Sequence, residues 1–265
     1  MNAAPRLRLD LPLAAGVVLA VSVARLLVGG LSGLSYDEAY YAFWSTHPAA
    51  GYLDHPPMVA WMMTIGRAVF GNTEFGVRAM TVLALALTSA AIFRTTAILA
   101  DRRAAALAVI LFNFAPGIAL GFVATPDAPS MLFWAAALWA VAEFIGSQGA
   151  SWWLAAGLFA GLGLTSKYTD AFLPLGLFLF IIVSRERRVW LRLWQVWAGV
   201  ALALAVFSPV LVWNAQRQWV SFRFQGSRTI VDGIGSAAAR HIFELVSGFV
   251  VTLGPVLAAA AFAGL

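Results

Sequence analysis

Long, nearly uncharged runs decide what this chain can fold into. Such runs extend from Leu11 to Leu31, Ala79 to Ala100, Ala104 to Val123, Ala128 to Ile145, Trp152 to Leu164, Ala171 to Val183, Leu191 to Trp213 and Ile242 to Leu265. A helix needs about 20 apolar residues to cross the hydrocarbon of a bilayer. The expected fold is therefore all-α, a polytopic transmembrane bundle with about eight spans. Only 11% of the 265 residues are charged, whereas soluble domains carry roughly a quarter. The first run is too long for a cleavable leader and lacks a clear small-residue cleavage site, so it reads as a first span. Cysteine is absent, which excludes disulfides, thiol nucleophiles and thiolate metal sites. The net charge of +5 does not point to nucleic acid, because the basic residues are scattered among bilayer-length runs. Loops facing membrane lipids or a phosphate explain them better.

The stretch "MVAWMMTIGRAVF", from Met58 to Phe70, is short for a span and carries Arg67. It fits a helix lying in the membrane interface with Arg67 toward water, inside a first extracytoplasmic loop covering about residues 32 to 78. That reading puts Arg6, Arg8, Arg102, Arg103, Arg185, Arg187, Arg188 and Arg192 on one side, cytoplasmic by the positive-inside tendency. It gathers Asp37, Asp54, His55, Asp127, Lys167, Arg217, Arg223 and Arg228 on the other. Arg25 and Arg94 lie inside apolar runs about two turns from an end, where a long side chain can snorkel. The fifth and sixth runs are about 13 residues each. Their outer ends are expected to stop below the membrane surface and leave a recessed cavity.

The polar residues of the outer face have plain readings beside chemical ones. Ser35 can cap a helix with Asp37 and Glu38 in its first turn, or a carboxylate there can take a proton from an attacking hydroxyl. In "LDHPP", Pro56 and Pro57 can simply start the next helix, while Asp54 and His55 could instead contact a ligand. Asp127, held between two prolines in "ATPDAPS", is either a helix-start acid or a reproducibly aimed carboxylate. Lys167, the one lysine of the chain, is an interfacial anchor or a point charge for phosphate. Arg217, Arg223 and Arg228 stand among Trp213, Trp219, Phe222 and Phe224 on the side that the charge tendency disfavours, and an anionic ligand explains that placement. A His–carboxylate pair is a weak metal signal, so a divalent cation is left open.

The segments "YDEAYYAFW", "YLDHPPMVAWM", "ATPDAP", "GLGLTSKYTD" and "WNAQRQWVSFRFQ", in this order, resemble the GT-C superfamily of membrane glycosyltransferases. The likeness is to glycosyltransferase family 39 and the bacterial relatives that use a polyprenyl-phosphate sugar. The resemblance implies one GT-C transmembrane module over residues 1–265, followed in relatives by further spans and often an extracytoplasmic domain. It implies inverting transfer from a polyprenyl-phosphate-linked sugar to a lipid, protein or glycan hydroxyl, with the site outside a bacterial inner membrane. Asp37 would be the catalytic carboxylate and Asp127 the second acid. Glu38 is a further candidate, although neighbours on a helix point about 100° apart and both need not face the cavity. Lys167, Tyr168, Arg217, Arg223, Arg228, Asp54 and His55 would bind the donor, with Lys167 and the three arginines neutralising its lipid phosphate. A transporter or lipid flippase, or an inactive GT-C-like subunit, is the competing expectation. Transporters place ionisable residues near the midplane on repeated, broken helices, and the chain has no evident repeat.

Overall fold

The computed structural model describes residues 11–119, 121–230 and 238–254, which form helices joined by turns. In chain order the helices are α1 (Leu11–Leu31), α2 (Tyr36–Ser45), α3 (Met58–Phe70), α4 (Glu74–Leu99), α5 (Arg102–Phe114) and α6 (Pro116–Ala119). They continue with α7 (Asp127–Ser147), α8 (Trp152–Leu164), α9 (Phe172–Val183), α10 (Trp194–Ala215), α11 (Val220–Ile230) and α12 (Ala238–Leu253). Two short 3-10 turns, Tyr168–Ala171 and Arg187–Arg192, precede α9 and α10.

Among the described residues four helices, α1, α4, α7 and α10, are long and apolar enough to cross a membrane, where eight spans were expected. The expected span from Ala104 to Val123 is broken. Ala115 is extended at φ −61° and ψ 134°, because the ring of Pro116 disfavours helical backbone in the residue before it. The apolar run therefore divides into α5 and the short α6. The runs at 152 and 171 are helices of 13 and 12 residues, short as expected. The last expected span lies partly outside the described residues, and its described part belongs to α12.

One helix start and three arginines depart from or refine the expectation. The hydroxyl of Thr73 accepts from the Gly76 amide and starts α4 five residues before the apolar run, drawing Arg78 into the helix. Arg25 does not snorkel. It is buried in α1 and donates to the Asn113 side chain at 2.9 Å and to the carbonyls of Asn113 and Ile118. Those carbonyls border the break between α5 and α6, where the helical ladder leaves acceptors without partners. Arg94 is more than half exposed and pairs with Glu143 at 2.6 Å. Arg67 is half-buried rather than turned to water, donating at 2.6 Å to Ser45 Oγ and to the Ala42 carbonyl, at the negative end of α2.

Helix α4 packs against α1, α3, α5 and α7, and α8 packs between α7 and α10. Lipid tails are as apolar as leucine, so helices in a bilayer associate through close packing rather than expulsion from water. The α8–α10 contact shows this. A Cβ on Gly157 would fall 2.1 Å from the Gly199 carbonyl oxygen, so either glycine replaced by alanine would drive the pair apart. A core of Tyr41, Trp44, Val59, Met63, Val77 and Ala124 joins α2, α3 and α4 to the segment ahead of α7.

Candidate active site

Helix α2 opens with a complete capping box: the Ser35 hydroxyl accepts from the Glu38 amide, and Glu38 Oε2 accepts from the Ser35 amide at 2.9 Å. The plain reading of this motif is thus present. It separates the two acids, because Asp37 is exposed whereas Glu38 is fully buried. Glu38 receives Arg78 as a fork, Nε at 2.6 Å and Nη2 at 2.7 Å, and its Oε1 also accepts from the Ala124 amide at 2.9 Å. Arg78 spends its remaining donors on the carbonyls of Gly29, Ser32 and Gly33 at the end of α1. Burial alone would raise the Glu38 pKa. The bonds from Arg78, Ser35 and Ala124 outweigh it and hold the carboxyl below its ordinary value.

Six residues after Glu38's backbone contact stands Ser130, and between the two lies Asp127, the first residue of α7. Its exposed carboxylate meets Lys167 Nζ at 2.6 Å. Lys167 enters the 3-10 turn after α8, and the same turn buries Asp170, which accepts from the Ser130 hydroxyl at 2.6 Å through Oδ1. Burial pushes Asp170 up to about 6, with the Asp127 charge adding to the rise and the Ser130 bond and Lys167 opposing it.

The loop from residue 46 to 57 is fixed from several directions. Tyr52 stacks on Trp44 at 4.3 Å, and its hydroxyl accepts from the Ala49 amide. The Met58 amide donates to the Thr165 carbonyl at 3.0 Å, tying this loop to the lysine turn. From α11, Ser221 Oγ donates to the Tyr52 carbonyl at 2.6 Å and Gln225 Nε2 to that of Asp54. Burial raises the Tyr40 phenol, and the Asp54 carboxylate adds to the rise. The His55 ring packs edge-on to Tyr41 at 6.1 Å. Burial pushes Tyr41 up to about 12, assisted by the charges of Asp37, Asp54 and Asp127.

The basic residues are less concentrated. Asn214, buried in the last turn of α10, accepts from the Ser221 amide and donates toward the Tyr168 hydroxyl at 3.4 Å. Tyr168 also packs on Phe222 at 4.8 Å. Gln218 and Trp219 take positive φ in the turn before α11, a conformation that costs free energy in non-glycine residues. Arg217 is exposed and lies over the Trp213 ring at 4.5 Å, and Arg223 is exposed on α11. The Arg228 side chain lies outside the described residues. No group of three or more histidine and acidic side chains suited to a metal ion occurs among the described residues.

A family model described as dolichyl-phosphate-mannose-protein mannosyltransferase matches residues 54–213. The chain belongs to this family. Among curated members and relatives, it is 28% identical over 189 residues to the lipid A galacturonosyltransferase RgtD of Rhizobium johnstonii, covering 71% of this chain and 40% of that one. It is 31% identical over 168 residues to the undecaprenyl phosphate-alpha-4-amino-4-deoxy-L-arabinose arabinosyl transferase of Pseudomonas aeruginosa, covering 61% and 29%. The chain thus spans less than half the length of these relatives. The family fold is seen in the crystal structure of ArnT from Cupriavidus metallidurans in the apo state, with a TM-score of 0.67 and 20% identity over 83% of this chain and 44% of that one.

Arg78, Ser130, Asp170 and Asn214 were missed by sequence reasoning. Arg78 sits one residue outside the apolar run assigned to its span, and Asp170 sits inside a quoted motif whose lysine drew the attention. A charged residue flush against an apolar run, and an acid three residues after the sole lysine, were the available signals.

Proposed function

We propose that the protein catalyses inverting transfer of a sugar from a polyprenyl-phosphate donor to a hydroxyl acceptor. The site faces the non-cytoplasmic side of a bacterial inner membrane. Asp37 takes the acceptor's proton, the freed oxygen lone pair attacks the anomeric carbon, and the bond from that carbon to the phosphate oxygen breaks. The lipid phosphate leaves with the electron pair. Lys167 meets the charge that develops on it, with Arg217, Arg223 and Arg228 as the guanidinium partners of the same phosphate. Asp127 orients the donor and holds Lys167 until a phosphate arrives; Tyr168, Asp54 and His55 border the sugar.

The observation that carries this reading is the solvent-accessible Lys167–Asp127 pair, closed at 2.6 Å beside the turn to which the Asp54–His55 loop is tied through the Met58 amide. An exposed ion pair is a weak one, so a phosphate can displace Asp127 from the ammonium. The names of the relatives support an undecaprenyl-phosphate-linked donor and an acceptor of the lipid A or lipopolysaccharide-core class. The test is transfer of labelled sugar from such a donor in reconstituted membranes. Asp37→Asn should lower kcat by about 100-fold or more, the usual scale for a lost general base. Transfer at the unsubstituted rate would remove Asp37 from the chemistry.

A further inference from the structure

Two motifs at the site share a division that the transfer chemistry does not use. In "YDE" the exposed Asp37 is followed by the fully buried Glu38; in "KYTD" the part-exposed Lys167 is followed by the buried Asp170. Glu38 reaches the same short segment from α2, and Asp170 from the 3-10 turn after α8. Glu38 accepts from the Ala124 amide at 2.9 Å and Asp170 from the Ser130 hydroxyl at 2.6 Å. Asp127 lies midway. Pro126 and Pro129 restrict the backbone between those points, so anchoring both ends leaves Asp127 little freedom.

We propose that Glu38 and Asp170 are positioning residues, buried carboxylates that clamp segment 124–130 at its two ends and so set Asp127 relative to Asp37 and Lys167. This rests on the transfer reading above and adds residues that act through Asp127 without touching substrate. The oxygens of Glu38 are occupied by Arg78, Ser35 and Ala124. Asp170 is 3% exposed, and its Oδ2 lies against Gly163, where a Cβ would approach to 2.9 Å. Asp170 Oδ2 has no hydrogen-bond partner among the described residues, but it is buried, so neither carboxylate is open to a ligand at the surface. The Asp170 amide also donates to the Lys167 carbonyl at 3.1 Å, so the clamp and the lysine belong to one turn. Through Arg78, Glu38 connects the same segment to the end of α1 and to α4.

The experiment pairs hydrogen exchange with kinetics on the full protein in nanodiscs. Asp170→Ala and Ser130→Ala should each accelerate exchange of the Ala128 and Ser130 amides, which donate to the Thr125 and Pro126 carbonyls, by about tenfold or more, leaving α4 and α10 unchanged. Both should lower kcat by about 10- to 100-fold, the scale of an ångström-sized misplacement, with the donor KM within about twofold. Asp170→Asn, which keeps an oxygen for the Ser130 hydroxyl, should restore most of the rate. In an Asp127→Asn background, Asp170→Ala should cost nothing further, because the clamp acts through Asp127. Glu38→Gln should accelerate exchange at Ala124; Asp170 and Ser130 carry the test if that variant fails to fold. Unchanged exchange, an unchanged kcat, or a loss that persists without Asp127 overturns the clamp. A wild-type protein that transfers no sugar overturns the transfer reading instead, and exchange alone then decides the clamp.

Discussion

Two ion pairs in this protein have the same length and opposite settings. Arg78–Glu38 and Lys167–Asp127 both close at 2.6 Å, but the first pair is 2% and 0% exposed and the second 31% and 57%. The buried pair is a bidentate fork with its spare hydrogen-bonding capacity consumed by backbone groups, so it tolerates no exchange of partners. The exposed pair is a single contact from a flexible ammonium. Solvent screens it, and a phosphate can take the lysine at little cost. One pair is sealed inside the helices and the other is open to solvent.

The largest expected effect separates the two. Arg78→Ala leaves Glu38 buried without its counter-charge, and breaking a buried pair costs about 3–5 kcal/mol. The folded yield and thermal midpoint should fall sharply, read by fluorescence-detected size exclusion in detergent. A midpoint unchanged from wild type would mean that the fork is dispensable. The losses of rate predicted above for Asp37→Asn and for the clamp variants come next.

The smallest effect concerns Asp170. Its pKa is raised from 3.8 to about 6 by burial, so the folded protein keeps this proton at pH values where the unfolded chain has released it. Asp170 therefore favours folding most below pH 3.8, and that contribution declines as the pH rises through about 6. Asp170→Asn removes the titration. The difference in thermal midpoint, variant minus wild type, should grow between about pH 4 and about pH 7. A difference independent of pH would contradict the burial of a titrating carboxyl.

Much of the fold was legible because apolar runs and caps are local. The run from Leu11 to Leu31 and that from Trp152 to Leu164 are helices with those same ends, and the cap at Ser35 was readable from its neighbours. The run from Ala104 to Val123 was not read as two helices, although it holds the proline that divides it. Pairings at long range were illegible for a different reason. Glu38 and Arg78 are 40 residues apart, and so are Ser130 and Asp170; no periodicity links such positions. Arg25 illustrates the same limit, since an arginine two turns from a helix end looks like a snorkelling anchor until Asn113 is seen beside it. The exposed members of the constellation were found as charges that an apolar chain does not need, whereas their buried neighbours looked like parts of a cap or a turn.

The most direct test of the contrast between the two pairs is made on Lys167→Gln, by measuring its thermal midpoint and its affinity for undecaprenyl phosphate in the same preparation. Loss of a surface pair costs about 1 kcal/mol at most, so the midpoint should stay close to wild type, while affinity falls by about tenfold or more as a charged phosphate contact is lost. An affinity equal to that of wild type would contradict the assignment of the exposed pair to the ligand.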